Sequence, residues 1–203
     1  MLDKVKLTKE EMREYAEAFA YYDYGDDEIG MVPYYPGYPD RTRLINYLVA
    51  MISVANDYNA VYATSKRKEG IIILTDTTAP YPAAASFKMM WRMTKALGLK
   101  NFMDIIKKFQ AGGASLEKKY RDAKKQFVQI ELLAVKKEYQ GQGFMRPLVE
   151  NAIELADKKH IPVILSTDAK LKKDKYEHLG LSLVNTRKLG ERSFMYDLVR
   201  ENK

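Results

Sequence analysis

The sequence predicts an α/β fold: a mixed, mostly antiparallel twisted sheet with helices on both faces. Three observations carry that reading. Short runs of β-branched and apolar residues, with 127–135 (FVQIELLAV) the clearest, alternate with segments whose apolar residues recur at helical spacing. That strand leads through a loop bearing Gly141 and Gly143 into an amphipathic helix. After Gly180, the runs 181–186 and 192–199 read as a closing antiparallel pair.

The elements follow in chain order. Thr8, with Glu11 three residues on, forms a capping box. Met12, Tyr15, Ala16 and Phe19 then mark the buried stripe of a first helix. Residues 21–40 mix Tyr21, Tyr22, Tyr24, Tyr34, Tyr35 and Tyr38 with Gly and Pro, which predicts a long loop carrying large side chains. Leu44, Tyr47, Leu48, Met51 and Ala55 mark a second helix. Residues 60–64 and 70–75 are short strands joined by a charged turn, 66–69. Phe87, Met90, Trp91 and Leu97 mark the apolar stripe of a third helix, interrupted by Thr94. Phe102, Ile105, Ile106 and Phe109 mark a fourth, which Gly112 and Gly113 break. Behind the glycine loop, Leu148, Val149, Ala152, Ile153 and Ala156 recur at helical spacing, and 161–166 is a further strand. With no repeat, low-complexity segment or dividing linker, residues 1–203 read as a single domain.

Composition narrows the chemistry. A chain of 203 residues, 46% hydrophobic and 30% charged, has the material for one globular core. No apolar run reaches the roughly 18 residues of a membrane span, and residues 1–6 lack an apolar signal core. Without cysteine there is no disulfide framework, thiolate zinc site or cysteine nucleophile. Only His160 and His178 are present, so no metal is expected. The expected location is cytoplasmic, with no membrane partner. A net charge of +7 suits either nucleic acid or a cofactor rich in phosphate. The lysines are scattered over predicted helices rather than grouped with aromatics, which disfavours nucleic acid.

The glycine loop, 140–145 (QGQGFM), is the most informative stretch. Two glycines let the backbone turn sharply and approach a ligand closely. The first free N–H groups of the following helix, with the positive end of its dipole, suit an anion such as a pyrophosphate. Pro147 fits there, because a missing N–H costs least in a first turn. A bare tight turn is the structural alternative. The dinucleotide fingerprint G-x-G-x-x-G fails, since Arg146 holds the third glycine position and the loop starts five residues after the strand.

The order strand, Gln140-x-x-Gly143, helix resembles the acetyl-coenzyme A loop of the GCN5-related N-acetyltransferase (GNAT) superfamily, although Met145 stands where a small residue is usual. Tyr176-Glu177-His178-Leu179-Gly180-Leu181 resembles that family's Tyr-Glu-x-x-Gly-Phe signature, with Leu181 for Phe. The Leu-Ser-Thr-Asp run at 165–168 and the long insert before 124 look most like the puromycin N-acetyltransferase subgroup. The resemblance implies the acyl-CoA N-acyltransferase fold, with a splay between the two strands flanking the glycine-loop helix. It divides the domain into an acceptor side, 1–123, and an acetyl-CoA core, 124–200. It implies acetyl transfer to a small-molecule or peptide amine by direct attack in a ternary complex, with the enzyme a monomer or homodimer. Leu133, Ala134 and Val135 would hold the pantetheine, and Gln140, Gly141, Gln142, Gly143, Phe144 and Met145 the pyrophosphate. Ser166 and Lys172 complete the candidate cofactor contacts.

Two residues are candidates for proton transfer. Tyr176 stands where the family's general acid stands, and a tyrosine, ordinarily of pKa about 10, keeps its proton at neutral pH. It is otherwise a packing residue. Glu131 lies on the strand that resembles the family's central one, where a carboxylate can take a proton from an incoming ammonium. Strict alternation would put Gln129, Glu131 and Leu133 on one face, unless a bulge intervenes. The lysines at 170, 172, 173 and 175 are either a solvated face or contacts to a cofactor phosphate. The tyrosine-rich loop is either a lid over the acceptor or a cover for the core. A non-catalytic acyl-CoA sensor or assembly module on the same fold is the alternative function.

Overall fold

The computed structural model describes residues 1–25 and 27–202; Asp26, within the tyrosine-rich loop, and Lys203 lie outside the described residues. The strands β1 (Asp3–Lys4), β2 (Val61–Ala63), β3 (Gly70–Asp76), β4 (Val128–Val135), β5 (Val163–Thr167), β6 (Ser182–Lys188) and β7 (Phe194–Arg200) form one sheet in the order β1-β2-β3-β4-β5-β7-β6. Among the described residues, only β4 and β5 run parallel. Parallel neighbours need a crossover connection, and α6 (Met145–Asp157) supplies it. The fold is therefore the mixed, mostly antiparallel α/β sheet that the sequence predicts.

Helices cover both faces. α1 (Lys9–Ala20) starts at the expected capping box: Glu11 N–H donates to Thr8 Oγ1 at 3.2 Å and Thr8 N–H to Glu11 Oε2 at 2.8 Å. With α2 (Thr42–Asp57) it buries Tyr15, Ala16, Leu48 and Ile52 against Ile71, Ile73, Leu132 and Ala134 of the sheet. On the opposite face, Leu148, Val149, Ala152 and Ala156 of α6 pack on Ile72, Leu74, Val128 and Ile130.

A bulge in β4 reorganises the middle of the sheet. Ile73 faces Leu132 and Leu74 faces Ile130, so Glu131 has no partner across the pair. Val128 and Ile130 point to the α6 side, whereas Leu132 and Ala134 point to the α1 side. One extra residue inverts the alternation. Gln129 and Glu131 touch, Nε2 to Oε2 at 3.2 Å, but Leu133 packs with the α6 cluster. The single face drawn from strict alternation is thus corrected by the bulge.

Further departures have physical causes. α3 (Ala83–Leu97) forms where expected, but Phe87, Met90 and Trp91 are 73%, 57% and 56% exposed. Helical spacing says which residues share a face, not where that face points. Here Lys88 and Arg92 pair with Asp57 of α2 at 2.7 and 3.0 Å, and the helix buries Ala85 and Leu97 instead. α4 (Leu99–Gln110) follows directly. α5 (Leu116–Asp122) and the edge strand β1 were not expected; α5 is short and polar, started by the Ser115 side chain accepting from Lys118 N–H. α7 (Lys170–His178) follows β5.

Candidate functional site

The site begins where β4 and β5 part. They pair only at Val128–Val163 and Gln129–Ile164. Val128 N–H donates to Pro162 O, on the β5 side, and Lys136 N–H donates to Glu69 O, on the β3 side. Backbone donors alternate sides along a strand, so two even-numbered residues pointing opposite ways require the one-residue bulge. Counting back from Lys136, the N–H groups of Leu133 and Val135 turn away from β3 and into the gap.

The gap opens into a cleft of about 630 Å³ between β4, the glycine loop, α1 and α7. Every candidate cofactor residue except Gln142 and Ser166 lines it. Two side-chain braces shape the loop: Gln140 Nε2 donates to Val135 O at 3.1 Å and Gln142 Nε2 to Glu138 O at 2.8 Å. Gly141 and Gly143 have φ of +78° and +86°, and a Cβ on either would meet no atom within 4 Å. Glycine is required there by the backbone and leaves the loop's outer surface open to close approach. α6 then starts without a side-chain cap. Its first N–H groups and dipole supply an anion-binding end.

A second cavity, of about 180 Å³, lies against α1, α2, β4 and β5 and holds Glu131. Ser166 belongs to this cavity rather than to the cleft, and its hydroxyl donates to Asp197 Oδ1 at 2.6 Å. Asp197 is fully buried and also takes Arg187 through Nε and Nη2, both at 3.1 Å. The tyrosine-rich loop walls the cavity with Tyr24 and Tyr35. It is tied down by two acidic residues: Asp168 Oδ2 accepts from Tyr24 OH and Met31 N–H, each at 2.8 Å, and Glu28 accepts from Lys170 N–H at 2.7 Å and from the Tyr196 hydroxyl. Sequence reasoning missed these anchors, because the partners lie far apart in the chain.

The cleft and the cavity share Phe19, Leu133, Lys172 and Tyr176, so they meet at these four side chains. Tyr176 is buried, and that burial, reinforced by Tyr22, pushes its pKa above the usual tyrosine value. Glu131 is exposed to solvent as a residue, although protein atoms crowd the end of its side chain within the cavity. That enclosure, followed by the charge of Glu117, pushes its pKa up to about 7, while Thr75 and Arg121 oppose the rise. Lys172 Nζ lies over the rings of Tyr22 at 4.0 Å, Phe19 at 4.1 Å and Tyr24 at 5.7 Å. Its Nζ is buried without a hydrogen-bond partner among the described residues. Burial lowers its pKa; Asp168 opposes and Lys175 reinforces that shift.

Among the described residues, no cluster of His, Cys, Asp or Glu could hold a metal ion, and no helix is long and apolar enough to cross a membrane. The family profile described as Acetyltransferase (GNAT) family matches residues 72–174, just over half of the chain. No curated protein matches the sequence. Among solved structures, the chain is similar to a Corynebacterium glutamicum protein described as histone acetyltransferase HPA2 and related acetyltransferase. That match has a TM-score of 0.59 and 12% identity, covering 100% of this chain and 98% of that one. It is also similar to an N-acetyltransferase from Staphylococcus aureus Mu50, with a TM-score of 0.55 and 14% identity over 98% of this chain and 100% of that one. At such identities the likeness concerns the fold.

Proposed function

The chain belongs to the acetyltransferase (GNAT) family, and we propose that it moves an acetyl group from acetyl-coenzyme A to a primary amine of a small molecule. The meeting of the coenzyme-sized cleft with the smaller, carboxylate-bearing cavity at Tyr176 is the observation that carries this reading. The pantetheine arm enters the β4–β5 gap and bonds to the N–H groups of Leu133 and Val135 in strand fashion. The pyrophosphate rests on the glycine loop and the first turn of α6. A β4 N–H beside the bulge polarises the thioester carbonyl.

The amine waits in the smaller cavity, where Glu131 takes its proton and the neutral nitrogen attacks the carbonyl directly. Tyr176 donates from its hydroxyl to the departing sulfur. Ser166 serves the acceptor side rather than the cofactor. Leu165, Ser166, Thr167 and Asp168, on which the puromycin-like resemblance rests, all line that cavity and support placing acceptor recognition there. An apolar cavity of about 150 Å³ takes benzene, so a wall of Met31, Leu44, Leu48, Met51 and the tyrosines suits an apolar amine of about one ring. The cysteine-free composition accords with a cytoplasmic enzyme.

Calorimetry with coenzyme A, followed by turnover on a panel of amines, tests the proposal. Coenzyme A binding together with acetylation of small apolar amines is expected. Absence of coenzyme A binding to folded protein would remove the cofactor assignment. Binding without turnover of any amine would favour an acyl-coenzyme A sensor.

A further inference from the structure

We propose that Lys172 is a catalytic residue whose ammonium receives the coenzyme A sulfur as it leaves. This rests on the acetyl-transfer reading above. Of the four side chains where cleft and cavity meet, Phe19 and Leu133 are apolar. Lys172 and Tyr176 are the two that carry a transferable proton. The acetyl group must cross this junction, so the carbon–sulfur bond breaks beside them.

The burial of Lys172 is unusual in kind. A structural lysine lays its stem on apolar surface and keeps its head in water. Here the head is inside, and its donors find no acceptor among the described residues. The faces of Tyr22 and Phe19 hold the charge in place by cation–π attraction. The neighbouring carboxylate, Asp168, already accepts two hydrogen bonds at Oδ2. A buried ammonium of this sort is an unfilled anion site, and the anion that the reaction creates at the junction is a thiolate.

The step balances as follows. The amine nitrogen bonds to the thioester carbon, the carbon–sulfur bond breaks, and its electron pair stays on sulfur. Lys172 stays an ammonium and donates a hydrogen bond to that thiolate, while Glu131 holds the proton lost by the amine. After products leave, Glu131 gives its proton to water and the coenzyme thiolate takes one from solvent. Tyr176 adds a hydrogen bond to the same sulfur. A thiol has a pKa of about 8.5, by analogy with cysteine. An ammonium beside it lowers that value, so what Lys172 supplies to the leaving sulfur is its charge. The groups around the ammonium are Asp168, Lys175 and the ring faces of Phe19, Tyr22 and Tyr24, with Tyr176 and Glu131 lining the same cavity.

The test reads the thiol directly. Coenzyme A bound to the full-length protein is titrated by its ultraviolet thiolate absorbance. In wild type the bound thiol should ionise about one pH unit or more below free coenzyme A, since an adjacent cation favours the thiolate. Lys172→Met should return it to the free value and lower kcat roughly 10²-fold. Lys172→Arg should keep the shifted ionisation and more of kcat than Lys172→Met, because the charge remains. Tyr176→Phe should keep the shift. Lys172→Met should melt at or above wild type, since it removes an unbonded buried charge. An unshifted thiol in wild type, or Lys172→Met with wild-type ionisation and kcat, overturns the role while leaving acetyl transfer standing. If coenzyme A does not bind at all, the acetyl-transfer reading falls, and this inference with it.

Discussion

Replacing Glu131 by Gln makes a prediction that does not depend on knowing the acceptor. The carboxyl has a pKa of about 7 in the folded chain against an ordinary 4.5, so folding disfavours its ionised form. Below pH 4.5 both folded and unfolded chains hold the proton, and Glu131 costs nothing. Between 4.5 and about 7 the unfolded chain ionises first, binds fewer protons, and stability falls as pH rises. Above 7 the full cost is present and constant. The pKa difference sets an upper bound of about 3 kcal/mol. Water reaches the side chain through the cavity, so screening cuts this to about 1 kcal/mol. For a chain of this length that corresponds to roughly 2–4 °C in melting temperature. Calorimetric melts of wild type and Glu131→Gln at pH 5 and pH 8 check it. The variant should gain about 2–4 °C relative to wild type between those pH values. A difference between the two proteins that stays constant with pH refutes the raised pKa. In turnover, the same variant should lose roughly 10²-fold or more in kcat/KM, together with the limb on which activity rises through pH 7. Wild-type kcat/KM with an unchanged profile would remove Glu131 as the base.

Other perturbations separate binding, chemistry and scaffold. Coenzyme A should raise the melting temperature of wild type, and Gly143→Val should abolish that rise, because φ of +86° and close ligand approach both exclude a β-branched residue. A rise retained in the variant would place the pyrophosphate elsewhere. Tyr176→Phe should lower kcat by roughly tenfold with little change in coenzyme A affinity. Unchanged kcat under chemistry-limited conditions would leave it a packing residue. Arg187→Met strands Asp197, fully buried, without its guanidinium, and should cost about 3–5 kcal/mol in urea unfolding. A loss below about 1 kcal/mol would mean that Ser166 and Asn185 alone satisfy the carboxylate.

What the sequence made legible was local. The capping box of Thr8 and Glu11, the strand into Gly141 and Gly143, and α6 behind them are each written in neighbouring residues, and each forms. The face of α3 was not legible, because Asp57, twenty-six residues before its start, decides which side turns inward. The bulge at Glu131 was not legible either, since a strand's composition does not reveal an unpaired residue. Lys172 was one of four similar lysines on one helix. What distinguishes it is Phe19 from the end of α1 with Tyr22 and Tyr24 from the loop that follows, some 150 residues earlier, Tyr24 being held by Asp168.

The outward turn of α3 also decides how this protein can be watched. Its one tryptophan, Trp91, is 56% exposed, with Lys95 Nζ 5.4 Å from the ring centre. An indole already in water changes its surroundings little when the chain unfolds, and it is absent from the walls of both the cleft and the cavity. Tryptophan emission should therefore stay red and nearly constant through melting and through coenzyme binding. The same exposure makes Trp91 a reporter of anything that settles on the outer surface of α3, where a blue shift would mark contact while the catalytic centre stayed silent.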